Sequence, residues 1–189
     1  METDHGFVPD DLVFLVDFMN STYPGTVDQL GSTDLFEAWL ADQGRAAPVT
    51  GAQRATAQAL RDGLRAAAVH NAGVAADEEA IARGERALVG LPMHAALRDG
   101  GPSLVPSGTG VDRVLGEVAV ALTDARLTGR WGRVKACTGE DCGFVFWDGS
   151  RNGSRRWCDM QRCGSRQKMR NYRARTSTGQ GRHRRSMTR

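Results

Sequence analysis

The amino-acid sequence predicts a mainly α-helical protein with one small β-hairpin, followed by a compact cysteine-rich unit built of short strands and one helix. Three observations support this fold class. Apolar residues recur at helical spacing through most of the first 130 residues, an Asp-Gly-Gly turn separates two short apolar segments at 93–108, and all four cysteines lie between positions 137 and 163. At 189 residues, the chain is long enough for one sizeable core and a smaller appended unit.

Apolar stripes and residues that favour helix ends define the predicted helices. Ser, Thr and Asp at 32–34 suit a helix N-cap, and Gly44 and Gly73 suit left-handed positions after a helix. Gly84 lies inside a helical pattern, which indicates close packing at that point. We expect Trp39 and Trp131 in the core or between domains. The predicted helices cover residues 9–20, 31–44, 50–70, 76–89 and 110–129.

Residues 93–108 are predicted to form the hairpin, with Pro102 and Pro106 limiting how far its strands can pair. In the cysteine-rich unit, the segments 133–137, 143–148 and 155–158 are strand-like, and 148–154 is a turn-rich connector. A helix is predicted over 164–175, with Met169 and Tyr172 facing inward. The sequence thus divides into a helical domain at 1–130, a cysteine-rich unit at 131–175 and a disordered basic tail at 176–189.

The charge distribution follows the same division. Residues 1–130 hold 18 acidic residues against 10 arginines, whereas 131–189 hold 15 Arg or Lys against 4 acidic residues. A basic segment of this density favours a polyanionic partner. No run of about 18 apolar residues predicts a membrane span, and the first residues lack the pattern of a secretory signal, so we expect a cytoplasmic protein without membrane contact.

The four cysteines, Cys137, Cys142, Cys158 and Cys163, have the spacing C-x4-C-x15-C-x4-C. In a reducing cytosol two close pairs are typical of metal ligands, and four thiolates favour a single structural zinc ion. The start of the last helix at Cys163 suggests a treble-clef-like zinc finger. The alternative interpretation is separate buried thiols or a redox pair.

Arginines crowd the second half of this unit. Between 151 and 175 there are nine Arg or Lys residues against one acid, Asp159. Because guanidinium groups match phosphate geometry, we predict a nucleic-acid surface here, with Arg166, Arg170 and Arg173 on one helix face. The alternative is a solvated basic face that pairs with the acidic helical domain. The predicted contact residues are Arg151, Arg155, Arg156, Arg166, Lys168, Arg170, Arg173 and Arg175.

The run C-x4-CG-x-x-FWD-x-SRN-x-x-RRWC-x4-CG-S-R-x-K closely resembles the CGNR zinc-finger family, with Ser165 in place of the asparagine in that motif. The segments LVFLVDFMNSTY and DLFEAWLADQG resemble the ABATE domain that precedes this finger in the same family. The resemblance implies a bacterial transcription regulator that binds DNA through the finger and has an effector-sensing or stress-sensing helical domain. The positions that match the finger motif are the four cysteines, Arg151, Arg155, Arg156, Trp157, Gly164, Arg166 and Lys168.

Two other classes of function stay open at the level of sequence. An RNA-associated or ribosome-associated zinc protein would use the same basic surface, and a thiol or zinc enzyme would need a reactive sulfur or an open metal position. No catalytic motif is present, so we expect no enzyme activity. Asp17 and Asn20 are candidate contacts for an unidentified small-molecule effector, or else a solvent-facing acid and a helix cap. The sequence leaves the oligomeric state open.

Overall fold

The computed structural model describes residues 7–98, 101–170 and 172–174. Arg175 and the predicted disordered tail at 176–189 lie outside the described residues. The order of the helices and strands confirms the predicted fold class, which is mainly helical with two small antiparallel strand pairs. The elements are α1 (Asp10–Met19), α2 (Thr33–Asp42), α3 (Gly51–Asn71), α4 (Glu78–Val89), β1 (Met93–Arg98), β2 (Gly101–Pro106), α5 (Gly110–Leu127), β3 (Val134–Ala136), β4 (Val145–Trp147) and α6 (165–170 with 172–174).

Helix ends lie where the local sequence favours them. Ser32 caps α2 by accepting a hydrogen bond from the Leu35 amide at 3.2 Å, as the polar run at 32–34 predicts. Gly44 and Gly73 follow their helices with φ of +68° and +76°, in the left-handed region that glycine adopts without strain. Short-range signals therefore account for most of the helix boundaries.

One large core joins α1, α2, α3 and α5. The predicted stripe of α1 is buried, with Leu12, Leu15 and Met19 completely inaccessible to solvent. Trp39 of α2 is buried against Phe14, with ring centroids 6.0 Å apart. Full burial of each such side chain contributes about 1.5–3 kcal/mol to folding, so α1 is held mainly by tertiary packing. The predicted stripe of α5 is buried along its whole length.

α3 and α4 cross in close contact at two glycines. A Cβ atom built on Gly84 would lie 2.9 Å from the Cα of Gly63, and one built on Gly63 would lie 2.7 Å from the Cα of Gly84. These are contacts between backbones, which neither helix can relieve by rotating a side chain. The structure confirms the close packing that Gly84 indicates.

The hairpin β1–β2 is paired along its full length. Leu97 lies opposite Pro102, and Met93 lies opposite Pro106, so the prolines restrict the pairing less than the sequence predicts. Proline fits at such positions when its missing N–H faces away from the partner strand. β2 packs on α5, where a Cβ atom on Gly116 would lie 2.5 Å from Pro106.

β3 and β4 belong to the same core as the helical domain. Val134 and Val145 are fully buried, and together with Trp131 they pack in the cluster formed by α1, α3 and α5. A short 3₁₀ turn, Trp131–Arg133, carries the chain from α5 into β3. The predicted core position of Trp131 is confirmed.

Two local predictions in the cysteine-rich unit are wrong. Residues 155–158 form no strand in the described structure, because the Arg155 amide donates to the carboxylate of Asp148 at 2.8 Å instead of joining a ladder. Met169 and Tyr172 do not face inward, since their side chains are 56% and 66% exposed. Gly164, just before α6, packs against Trp157 and Met160.

Candidate metal centre and basic surface

The four cysteine sulfurs form one cluster. All four atoms lie within 4.8 Å of one another, with Cys142 Sγ 3.6 Å from Cys158 Sγ and Cys158 Sγ 3.9 Å from Cys163 Sγ. A tetrahedral zinc ion with Zn–S bonds of about 2.3 Å separates its sulfurs by about 3.8 Å. The cluster therefore fits one zinc ion, and the proximity of the sulfurs excludes the interpretation that the cysteines are separate buried thiols.

A turn after β3 supplies the first pair of ligands. Cys137 lies directly after β3, and its sulfur accepts a hydrogen bond from the Gly139 amide at 3.4 Å. A Cβ atom on Gly139 would lie 3.1 Å from the Cβ of Cys163, so a side chain here would crowd the second pair of ligands. Asp141 and Gly143 both adopt φ of +58°, which reverses the chain around Cys142.

Cys158 and the π-helical turn Met160–Gly164, which contains Cys163, supply the second pair. The Asp159 carboxylate caps this turn by accepting from the amides of Gln161 at 2.7 Å and Arg162 at 3.0 Å. The Cys163 amide donates to the Asp159 carbonyl at 3.0 Å. Cys163 is thereby fixed at the point where the chain enters α6, as the predicted treble-clef-like arrangement requires.

Close packing of the sulfurs shifts the pKa values of Cys137, Cys158 and Cys163. A hydrogen bond from the Cys158 thiol lowers the pKa of Cys137 to about 5, and the same contact raises the pKa of Cys158. Burial raises the pKa of Cys163 to about 11. Four thiolates cannot coexist at this spacing without a cation, so a divalent metal is the group that fits the cluster. Four protein ligands complete a tetrahedron and leave no open position, which defines a structural site.

A buried ion pair organises the connector between the two pairs of cysteines. The Lys135 ammonium lies 2.8 Å from the Asp148 carboxylate, and the two side chains are 7% and 0% exposed. Asp148 also accepts hydrogen bonds from Ser150 and from the Arg155 amide. Burial alone would raise the pKa of Asp148, but these bonds together lower it to about 2. This carboxylate is therefore ionised and fixes the path of residues 148–155.

Arg155 and Arg133 point into the structure. The Arg155 guanidinium donates to the Cys158 carbonyl at 2.6 Å and lies 5.2 Å from the ring centre of Phe146. Arg133 donates to the carbonyl oxygens of Asp148, Ser150 and Arg151. Of the predicted nucleic-acid contacts, Arg155 thus has a supporting position beside the metal cluster.

The arginines of α6 and of the turn before it line one shallow groove on the outer side of the finger. Arg166, Arg170 and Arg173 share this face, as their spacing predicts, and Met169 lies among them. Arg170 pairs with Glu140, an acid of the finger itself and not of the helical domain. Arg162, which the sequence did not single out as a contact, also lines the groove. We call Arg162, Arg166, Met169, Arg170 and Arg173 the basic groove.

The remaining predicted contacts lie elsewhere on the finger surface. Arg151 and Arg156 are exposed on the connector, and Lys168 is exposed on α6. Two positions along a helix correspond to about 200° around its axis, so Lys168 lies on the opposite side of α6 from Arg166. The structure therefore places three of the eight predicted contacts in the basic groove and four outside it, and Arg175 lies outside the described residues.

Three side chains of the helical domain hold the finger by hydrogen bonds to its backbone. Both amide atoms of Asn20 bond to Val145, each at 2.8 Å. Arg65 donates to the Gly143 carbonyl at 2.9 Å, and Asn71 donates to the carbonyls of Trp131 and Val134. Asp17, the other candidate effector contact, is exposed on α1. The structure gives Asn20 a role between the domains, and an effector contact by either residue stays a prediction.

Sequence reasoning did not identify Lys135, Asp148, Arg65 or Asn71 as part of this arrangement. Only Asp148 could have been noticed in the sequence, because it is one of few acidic residues in a basic segment and basic partners are close by. The bonding partners of Arg65 and Asn71 are backbone carbonyls at least 46 positions away, and such contacts leave no local pattern in a sequence.

The fold and the sulfur cluster define a helical domain fused to a zinc finger. Comparison with family models agrees: residues 13–129 match the ABATE model, described as "Putative stress-induced transcription regulator", and residues 133–176 match the CGNR zinc finger. The first match covers more than half of the chain, and the chain belongs to the ABATE family. These matches confirm the resemblance that the sequence motifs indicate. A search of curated proteins finds no match.

Proposed function

We propose that this protein is a transcription regulator that binds double-stranded DNA through the basic groove of its zinc finger. The observation that carries the proposal is the alignment of Arg162, Arg166, Arg170 and Arg173 along one outer face of the finger. The zinc ion holds the turn from which α6 begins and so keeps these guanidinium groups in register.

The dimensions and chemistry of this face suit a DNA duplex. The major groove is about 12 Å wide and accepts one α-helix, and arginine binds both phosphate oxygens and guanine edges in bidentate fashion. Each phosphate that is neutralised releases counterions, so affinity is expected to fall steeply with salt. Arg151 and Arg156 are also exposed and would add phosphate contacts.

In this proposal the helical domain senses a small molecule or a protein partner and has no catalytic role. The bonds from Asn20, Arg65 and Asn71 to the finger backbone provide the route, because a displacement of α1 or α3 would move β3 and β4. None of the helices in the described residues is long and apolar enough to cross a bilayer.

Selection of sheared genomic DNA by the zinc-loaded protein at about 0.15 M salt tests the function, because this ionic strength suppresses purely electrostatic binding. Enrichment of a few defined sites followed by sequencing would support a sequence-specific regulator. Retention of DNA without enrichment of particular sites would indicate a non-specific nucleic-acid binder. If a parallel selection retained RNA and not DNA, RNA would be the partner.

The salt dependence of DNA binding tests the groove itself. The double substitution Arg162→Gln and Arg173→Gln should reduce the slope of log affinity against log salt by roughly 1 to 2. Lys168→Gln, on the other side of α6, and the double substitution Arg83→Gln and Arg86→Gln on α4 are the controls, and both should leave the slope nearly unchanged. An equal reduction with Lys168→Gln would show that the groove is not the contact surface.

A further inference from the structure

A cleft of about 220 Å³ opens between the helical domain and the finger, next to the metal centre. It receives Tyr23 and Pro24 from the segment after α1, and Phe144 from the finger, whose ring meets that of Tyr23 edge-on at 5.3 Å. Three of the four metal ligands, Cys142, Cys158 and Cys163, also line it, and Cys137 does not. The cleft therefore gives small solutes a path to one side of the sulfur cluster.

The four sulfur ligands differ in their accessibility. Cys137, Cys158 and Cys163 are 6%, 4% and 5% exposed, whereas Cys142 is only partly buried. Cysteines in redox sensors are typically accessible thiolates beside a second cysteine that can resolve the oxidised form. Cys142 is the most accessible of the four ligands, and the Cys158 sulfur lies 3.6 Å away as a possible resolving partner.

Positively charged side chains also line the cleft. Arg162 and Arg166 line it, and the Arg166 guanidinium lies 3.9 Å from the Cys163 sulfur. Such groups stabilise the hydroxide that leaves when the O–O bond of a peroxide breaks in the cleft. A wholly buried tetrathiolate site would offer neither access nor this stabilisation.

We propose that Cys142 is a site of oxidative modification by hydrogen peroxide and that Cys158 resolves it as a disulfide. The Cys142 sulfur attacks one peroxide oxygen, the O–O bond breaks, and sulfenic acid and hydroxide form. The Cys158 sulfur then attacks the Cys142 sulfur, the S–O bond breaks, and a second hydroxide leaves. Two thiolates, one peroxide and two protons thus give one disulfide and two waters.

Formation of this disulfide removes two of the four metal ligands. The consequence is release of the metal and loss of the constraint that fixes the beginning of α6. The inference goes beyond DNA binding and does not depend on it, because the modified residues and the released metal can be measured without nucleic acid.

The test uses the full-length, zinc-loaded protein and stoichiometric hydrogen peroxide. Zinc release is followed with a chromogenic chelator, and the remaining thiols are alkylated before peptide mapping by mass spectrometry. The expected result is release of one zinc per chain, with a Cys142–Cys158 disulfide in the earliest fractions. An early disulfide that lacks Cys142, or full retention of zinc with all four thiols reduced, would overturn the proposal.

A variant at the mouth of the cleft tests the route of access without changing a metal ligand. Tyr23→Ala widens the mouth and should accelerate zinc release several-fold, whereas Tyr172→Ala, on exposed α6 outside the cleft lining, should not. Equal rates for both variants would exclude the cleft as the route.

Alkylation of the native wild-type protein by N-ethylmaleimide gives a test without a variant. Cys142 should react first, and any cysteine that reacts before it would also contradict the proposal.

Discussion

Asn20 joins the two parts of the molecule through a single amide group. It lies directly after α1, and its side chain both donates to and accepts from the backbone of Val145 in β4. An asparagine at this position also fits a simple helix end, which is why the sequence offered both an effector contact and a cap. The partner of the amide is 125 positions away, and no local pattern specifies it.

Asn20→Ala should lower the free energy of unfolding by about 1–3 kcal/mol, because it leaves the N–H and C=O groups of Val145 with one partner fewer. Chemical denaturation of the zinc-loaded protein measures this change. Asn152→Ala, at an exposed connector position, is the matched control and should change stability by less than about 0.5 kcal/mol. Similar values for both variants would show that the amide does not hold the finger.

Lys135→Met tests the buried ion pair. The substitution leaves Asp148 ionised and buried without its cation, which is expected to cost about 3–5 kcal/mol of stability. Lys168→Met, at an exposed lysine, is the control and should be nearly neutral. A Lys135→Met protein as stable as the control would show that the pair is dispensable.

The pH dependence of this difference follows from the pKa of Asp148. The folded-state value of about 2 lies below the unfolded value of about 3.9, so the ionised carboxylate stabilises the fold fully above about pH 4. The stability gap between wild type and Lys135→Met should therefore be complete at neutral pH and narrow as acid protonates the Asp148 carboxylate, first in the variant that lacks the cation and, near pH 2, in the wild type. Denaturation curves across this range measure the gap, and a gap that grew on acidification would contradict the assignment.

At the scale of elements, local sequence signals predicted the helices and their ends well, whereas nothing in the sequence indicated the long-range contacts. The caps at Ser32 and Gly44, and the buried stripes of α1 and α5, depend on residues within one or two turns. The metal centre was also predictable, since ligand type and spacing are sequence properties. The absence of a strand at 155–158 was not predictable. The Arg155 amide there donates to the Asp148 carboxylate, which Lys135 keeps ionised.

The crossing of α3 and α4 gives a prediction at this scale. Gly63→Ala should destabilise the fold by about 1–3 kcal/mol despite the higher helix propensity of alanine, because the new methyl group meets backbone atoms of α4. Gly51→Ala is the control, since a Cβ atom there would meet nothing within 4 Å. Thermal unfolding compares the two, and a Gly63→Ala protein as stable as Gly51→Ala would mean that the helices can separate without loss.

At the scale of the whole molecule, composition indicates two units of opposite charge, whereas the packing joins them. Val134 and Val145 of the finger lie in the core of the helical domain, and Asn20, Arg65 and Asn71 bind the finger backbone. The charge of a segment indicates which partners its surface attracts. It does not indicate which apolar side chains pack in the same core. The metal centre should consequently stabilise the helices as well as the finger.

Removal of the metal tests this coupling. A freely unfolding finger would leave the helical signal unchanged, but here loss of zinc releases β3 and β4 from their core contacts. Burial of Val134 and Val145 and the hydrogen bonds between the domains together contribute several kcal/mol, so the melting temperature of the helical circular dichroism signal should fall by on the order of 10 °C. Added zinc should restore the signal in the wild type but not in Cys158→Ser. Helices that melt at the same temperature with and without metal would show that the helical domain folds independently of the finger, and the bonds from Asn20, Arg65 and Asn71 would then be too weak to transmit a change from one domain to the other.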